Sequence, residues 1–288
     1  MKKGGAKAKK FIVNSIVHVG LAIMAFVWLL PIFWVIITSF RDEKGAYFKT
    51  FMPKAWTFNN YIKLWTDTSN LNFPQMFINT FIIACFVCVI SSFSVLAVAY
   101  TMSRLRFKLR KTFMNIAMII GLFPGFMSMV ATYYILKAFE LTQGDMIKVG
   151  LILVYSGGSG LGFYIAKGFF DTIPASIDEA AMLDGATKNQ IFWQITMPLS
   201  KPIVIYTVLT SFIAPWVDFI FVSVIMKDNY QNYTVALGLY QMLARENIDA
   251  YFTRFCAGAV LIAIPITLLF IKMQKYYVSG ITAGGAKG

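Results

Sequence analysis

The feature that most restricts this sequence is a set of six long apolar stretches, at residues 11–40, 77–102, 113–136, 149–170, 202–226 and 251–273. A helix that crosses the hydrocarbon layer of a bilayer needs about 20 consecutive, mostly apolar residues, and every stretch meets that length. Composition leaves no room for a soluble alternative. With 58% hydrophobic and 14% charged residues, against about 25% charged in soluble domains, the chain has too little polar surface to cover a water-exposed globule. The expected fold is all-α, a polytopic membrane protein with six transmembrane helices. The first stretch exceeds the roughly 7–15 apolar residues of a cleaved signal peptide and no small-residue cleavage site follows it, so it is expected to stay in the membrane.

The net charge of +13 does not point to nucleic acid, because the basic residues sit in short clusters between apolar runs and not along one amphipathic face. Their placement sets topology instead. Six spans put both termini on one side, and the segments on that side hold Lys2, Lys3, Lys7, Lys9 and Lys10; Arg104, Arg106, Lys108, Arg110 and Lys111; Lys167, Lys188 and Lys201; and Lys272, Lys275 and Lys287. These are 16 of the 26 basic residues. Positively charged loops stay inside, so both termini are expected in the cytoplasm of a bacterial cell, with the chain in its plasma (inner) membrane.

Chemistry is sparse. Cys85 and Cys88 match C-x-x-C but lie, like Cys256, within apolar stretches, where free cysteine acts as small apolar filler and lacks the ligands of a metal site. His18 is the sole histidine and has no carboxylate beside it for a proton relay. The sequence contains no G-x-x-x-x-G-K-[ST] phosphate loop. Gly157, Gly158, Gly160 and Gly162 fail the G-x-G-x-x-G spacing. No carboxylate pair, Ser/His/Asp set or metal cluster falls at one membrane level. The chain is therefore expected neither to be an enzyme nor to hydrolyse ATP by itself. Asp218, in Ala214-Pro215-Trp216-Val217-Asp218-Phe219, is the acidic candidate inside an apolar stretch. It either faces a polar cavity on a translocation pathway or sits at the outer interface, and an ion-coupled secondary sugar carrier built on it is the alternative function.

Residues 171–201 form the longest segment on the terminal side. Ser176 to Glu179 fits a capping box that starts a helix after Ser176. Ala180, Ala181, Met182 and Leu183 extend it, and Gly185 is placed to end it with positive φ. Thr187 to Gln190 is a second capping box, after which Ile191, Phe192 and Ile195 share a face. Pro198 is expected to stop that helix, and Ser200-Lys201-Pro202 begins the next span. By composition alone the segment is an interfacial connector.

The literal string says more. Glu179-Ala180-Ala181, three residues, Gly185, nine residues, then Ile195-Thr196-Met197-Pro198 resembles the E-A-A signature of ABC importer permeases, departing from it only in Met197 for Leu. Thr57 to Tyr61, Asn79-Thr80, Ala99-Tyr100, Arg104 to Phe107, Tyr155 to Gly158, the stretch Thr172 to Thr187 and the ending Gly280 to Gly288 extend the likeness. It runs to the carbohydrate branch, most similar to the second permease subunit of maltose and maltodextrin importers. The resemblance implies a type I importer permease domain over 11–279, with its core at about 77–275, a basic N-terminus 1–10 and a Gly-rich tail 280–288. It implies a coupling helix in the 171–201 loop, with Glu179, Ala180, Ala181, Met182, Leu183, Asp184, Gly185, Ile195 and Pro198 docking on an ATPase. The implied partners are a homologous second permease, two ATPase subunits that use ATP and Mg, and an extracytoplasmic sugar-binding protein. This chain itself would carry no cofactor.

Overall fold

A computed structural model describes residues 3–69, 71–122, 125–157, 162–227 and 229–285. Among them the regular structure is helical, apart from one isolated bridge between Arg41 and Trp56. The helices are α1 (Lys3–Ser39), α2 (Asn59–Thr66), α3 (Phe73–Arg104), α4 (Arg110–Gly121), α5 (Gly125–Ala138), α6 (Met146–Gly157), α7 (Gly162–Asp171) and α8 (Ala175–Leu183). After them come α9 (Lys188–Gln190), a π-helical turn Ile191–Thr196, α10 (Met197–Leu199), α11 (Lys201–Val217), α12 (Ile220–Met226), α13 (Val235–Met242) and α14 (Ile248–Gly285).

Four stretches are long and apolar enough to cross a membrane: Phe11–Ser39, Phe73–Arg104, Met146–Asp171 and Ile248–Lys275. Two bent pairs, Arg110–Gly121 with Gly125–Ala138 at 101° and Lys188–Leu199 with Lys201–Val217 at 85°, raise the number to six if each is one span. The expected span at 202–226 is not one helix. Pro215 stiffens the end of α11, Asp218 turns extended (φ −85°, ψ 104°), and its carboxylate accepts the Phe221 amide at 3.0 Å, which starts α12. The glycine-rich ending is helical as far as Gly285. Residues 1–2 and 286–288, with Gly158 and Gly160, lie outside the described residues.

The chain forms two compact units. In the first, Met1–Asp67 with Gln241–Leu261, α1 leaves most of its apolar side chains exposed, Phe11 and Trp28 each at 74%. A surface of that kind suits lipid and not water. Arg41 is buried under the 41–56 loop. It donates to the Thr50 carbonyl at 2.6 Å and to the Phe51 carbonyl, and its guanidinium covers the Phe48 ring. Asn60 of α2 donates to the Ser39 and Arg41 carbonyls and accepts from Thr253 of α14.

The second unit, Thr68–Tyr240 with Ile262–Gly288, is built on α3. Asn72 accepts the Gln75 amide and Pro74 follows in the first turn, so α3 has both a cap and a preset φ where it begins. Helices α6, α7 and α11 all pack on it, burying Val95, Leu96 and Ala99 against Phe163, Ala166, Phe170 and Ile203.

Candidate functional site

The loop between α7 and α11 begins where α7 ends at Asp171, whose carboxylate accepts from Ser103 at 2.6 Å and Lys167 at 2.5 Å. Helix α8 starts two residues earlier than the capping box suggests. Pro174 is its N-cap, with φ −57° and ψ 131°, and its carbonyl accepts the Ile177 amide. Ser176 lies inside the first turn and makes no capping bond. The extended geometry at Pro174 has already turned the chain into the helix, so the Ser176 hydroxyl arrives too late to cap it.

One side chain of that first turn points inward. The Asp178 carboxylate lies 3.1 Å from Arg104 Nε, each side chain 11% exposed. The Nη2 of Arg104 donates to the carbonyls of Phe170 at 3.0 Å and Ile173 at 2.9 Å. A guanidinium at the end of α3 therefore holds the end of α7, the Ile173 carbonyl in the link that follows and the first turn of α8 together, using its fixed fork of donors. In the sequence Asp178 is an interior position of the Ser176 to Glu179 box with no role of its own. The available signal is that Arg104 and Asp178 both fall in the quoted likeness, but nothing local pairs them.

Most of the rest of α8 is open. Glu179, Ala180, Met182 and Leu183 are exposed, Leu183 at 89%, while Ala181 is buried; Glu179 and Met182 line the same cavity as Asp178 and Arg104. The helix ends as its glycine requires. Gly185 has φ +84°, its amide donates to the Met182 carbonyl at 3.1 Å, and Ala186 donates to Ala181 at 2.9 Å, the paired bonds of a Schellman end. A Cβ at Gly185 would meet no heavy atom within 4 Å, so only backbone conformation demands glycine there. Asp184 and Gly185 are exposed beside it.

The second capping box is present in both directions, Gln190 to Thr187 and back. Beyond it the helix widens. The Met197 amide donates to Phe192, five residues back, in the π-helical turn, and this turn leaves room for Pro198, which α10 carries through to Leu199. Pro198 therefore does not stop the helix; the 85° bend falls after Leu199, at Ser200. The extra residue in the turn also changes the buried stripe. Ile191, Phe192 and Thr196 are buried and Ile195 is only half-buried. The Phe192 ring meets Tyr100 of α3 at 4.9 Å, and the Tyr100 hydroxyl donates to the Lys188 carbonyl at 3.4 Å.

Asp218 is apart from this loop. It lines a cavity of about 470 Å³ whose wall carries the hydroxyls of Ser91, Ser128, Thr132, Tyr155, Thr210 and Ser211 among apolar groups such as Val87, Met129 and Phe221. Tyr155 Oη donates to Asp218 Oδ2 at 3.0 Å, and the Phe221 amide donates to Oδ1. Among the described residues that line the cavity there is no lysine, arginine or histidine. Tyr155 belongs to the quoted string at 155–158, yet its partnership with Asp218 has no local sign. Cys85, Cys88 and Cys256 are free thiols, and no group of three potential metal ligands occurs among the described residues.

With this geometry in place, comparison with known proteins is specific. Residues 94–282 match the family of binding-protein-dependent transport system inner membrane components. The chain is 34% identical over 283 residues to the galactooligosaccharides transport system permease protein GanQ of Bacillus subtilis (strain 168), covering 98% of each. It is 32% identical over 283 residues, again 98% of each, to the maltodextrin transport system permease protein MalD of Streptococcus pneumoniae (strain ATCC BAA-255 / R6). A solved chain of a bacterial ABC transporter involved in the import of the acidic polysaccharide alginate superposes with a TM-score of 0.75 at 22% identity, covering 93% of this chain and 98% of that one. That last likeness is one of fold.

Proposed function

The chain belongs to the binding-protein-dependent transport system inner membrane components, and on that premise we propose that it is the transmembrane permease subunit of an ATP-binding-cassette importer for oligosaccharides. Maltodextrins and related sugars fit the names of its relatives. The observation that carries the reading is an anchored but exposed α8. Asp178 ties the helix to Arg104, while Glu179, Ala180, Met182 and Leu183 remain exposed for a partner to contact. In this reading α8 is the coupling helix. Leu183 and Met182 supply apolar contact, Glu179 offers charge, Ala180 permits close approach, and the Schellman end at Gly185 sets the angle at which α8 meets the rest of the loop.

ATP and Mg belong to two separate ATPase subunits. A homologous second permease completes the pathway, six spans put both termini in the cytoplasm, and an extracytoplasmic binding protein delivers the sugar. The hydroxyl-lined cavity at Asp218 contributes to the pathway, since hydroxyls and a carboxylate exchange hydrogen bonds with a sugar as it passes. The test is disulfide trapping after replacing the native cysteines. Leu183→Cys should cross-link to a cysteine in the ATPase cleft, whereas Ala181→Cys, buried, should not. Uptake that needs no ATPase and collapses with uncouplers would assign the chain to the ion-coupled carriers. A reporter fused at Gln190 that reads outside the cell would overturn the docking role.

A further inference from the structure

The turn that joins α3 to α4 carries Arg106, Phe107 and Lys108, and α4 opens on Arg110 and Lys111. That opening breaks a rule of helix construction. Cations in a first turn oppose the positive end of the helix dipole, yet the first turn of α4 holds no acid and its N-cap, Leu109, makes no side-chain hydrogen bond. The side chains of Arg106, Lys108 and Lys111 make no hydrogen bond or ion pair with any described residue. The nearby carboxylate of Asp171 is taken up by Lys167 and Ser103. Together Arg106, Lys108, Arg110, Lys111 and Lys167 line a cavity of about 500 Å³ that Phe107 and Met114 complete. Asp171 offsets Lys167 and part of Arg110, but no acid is among the described residues of the cavity wall, so the charge of Arg106, Lys108 and Lys111 favours an entering anion.

The apolar surroundings distinguish among anions. No residue of α4 is buried, and Phe107, Leu109, Phe113 and Ile116 are exposed at 39%, 57%, 49% and 46%, with the Phe107 and Phe113 rings 6.5 Å apart. A small inorganic anion would satisfy the cations and leave these groups uncovered. A phospholipid answers both needs, because its phosphate fills the cleft and its acyl chains cover the exposed apolar side chains beside it.

We propose that this cleft binds the phosphate headgroup of an anionic phospholipid. The test uses the full-length chain in detergent, with phosphatidylglycerol and phosphatidylcholine of matched acyl chains as probes and native mass spectrometry as readout. Phosphatidylglycerol should be retained and phosphatidylcholine should not. The triple variant Arg106→Gln/Lys108→Gln/Lys111→Gln should weaken phosphatidylglycerol binding about 100-fold, roughly fivefold for each charge removed. Lys108→Gln and Lys111→Gln alone should each show the roughly fivefold step, which keeps the test valid if the triple variant fails to fold. Retention of phosphatidylglycerol by a folded triple variant at the wild-type level overturns the proposal. So does displacement of the lipid by millimolar inorganic phosphate, which would make the site one for a free anion. A triple variant that loses the ATPase subunits while keeping the lipid would show a protein-docking surface instead, and that outcome also refutes it.

Discussion

Removing Arg104 tests how α8 is held. In Arg104→Gln, Asp178 keeps its place in the first turn, 11% exposed, but loses its counter-charge, and the carbonyls of Phe170 and Ile173 lose the donor they share. Leaving one member of a buried ion pair unpaired costs about 3–5 kcal/mol. The slight exposure places this pair toward the lower end, about 3 kcal/mol, or a factor of about 100 in the equilibrium between docked and detached α8. The spans should be unaffected, because their stability comes from packing within the membrane. Hydrogen exchange of the α8 amides should therefore accelerate by up to about 100-fold while those of α3 and α11 stay protected, and sugar-stimulated ATP hydrolysis in the assembled importer should fall. Arg104→Met combined with Asp178→Leu removes both charges and should restore much of the protection. If Arg104→Gln leaves exchange in α8 unchanged, the ion pair does not hold the helix and this reasoning fails.

At Gly185 a Cβ meets nothing within 4 Å, so Gly185→Ala should cost only the left-handed penalty of about 1–2 kcal/mol, and Gly185→Asn less; ATPase association measured by co-purification should rank glycine, asparagine, alanine. In the cavity, Asp218→Asn keeps an acceptor for the Tyr155 hydroxyl and should retain part of the transport rate, while Tyr155→Phe strips one of the two hydrogen bonds to Asp218; complete loss of uptake in a well-inserted Asp218→Asn, with uncoupler sensitivity in the parent, would refute the view that Asp218 is a pathway group and not an ion-coupling one. The Glu43 carboxyl is held below its ordinary range, first by the Lys54 amide that it accepts and then, against the opposing cost of burial, by Arg41 and Lys54 charge. A depressed folded value means that this contribution is present above the unfolded value and is lost as pH falls through the folded one, so acidification below about pH 4.5 should expose the 41–56 loop to an acid-active protease, and Glu43→Gln should flatten that dependence.

Much of this protein is legible along the chain because membrane spanning and helix capping are local. A run of about 20 apolar residues needs no distant partner to prefer a bilayer, which is why α1, α3 and the 248–275 part of α14 lie where the sequence puts them. Gly185 with φ +84° and the reciprocal Thr187 and Gln190 bonds are likewise decided by groups within one turn. The same local rules fail where another group reaches the position first: Pro174 caps α8 before Ser176 can, the π turn carries the helix through Pro198, and Asp218 divides the 202–226 stretch. What only the tertiary structure decided are the pairings, Asp178 with Arg104, Asp218 with Tyr155, and Phe192 with Tyr100. Each joins residues far apart in sequence that are brought together by packing around α3 or across a cavity. A charge or hydroxyl in low dielectric is tolerable only when its partner is in place, and where that partner lies is a property of the packed helices, which no periodicity in the chain encodes.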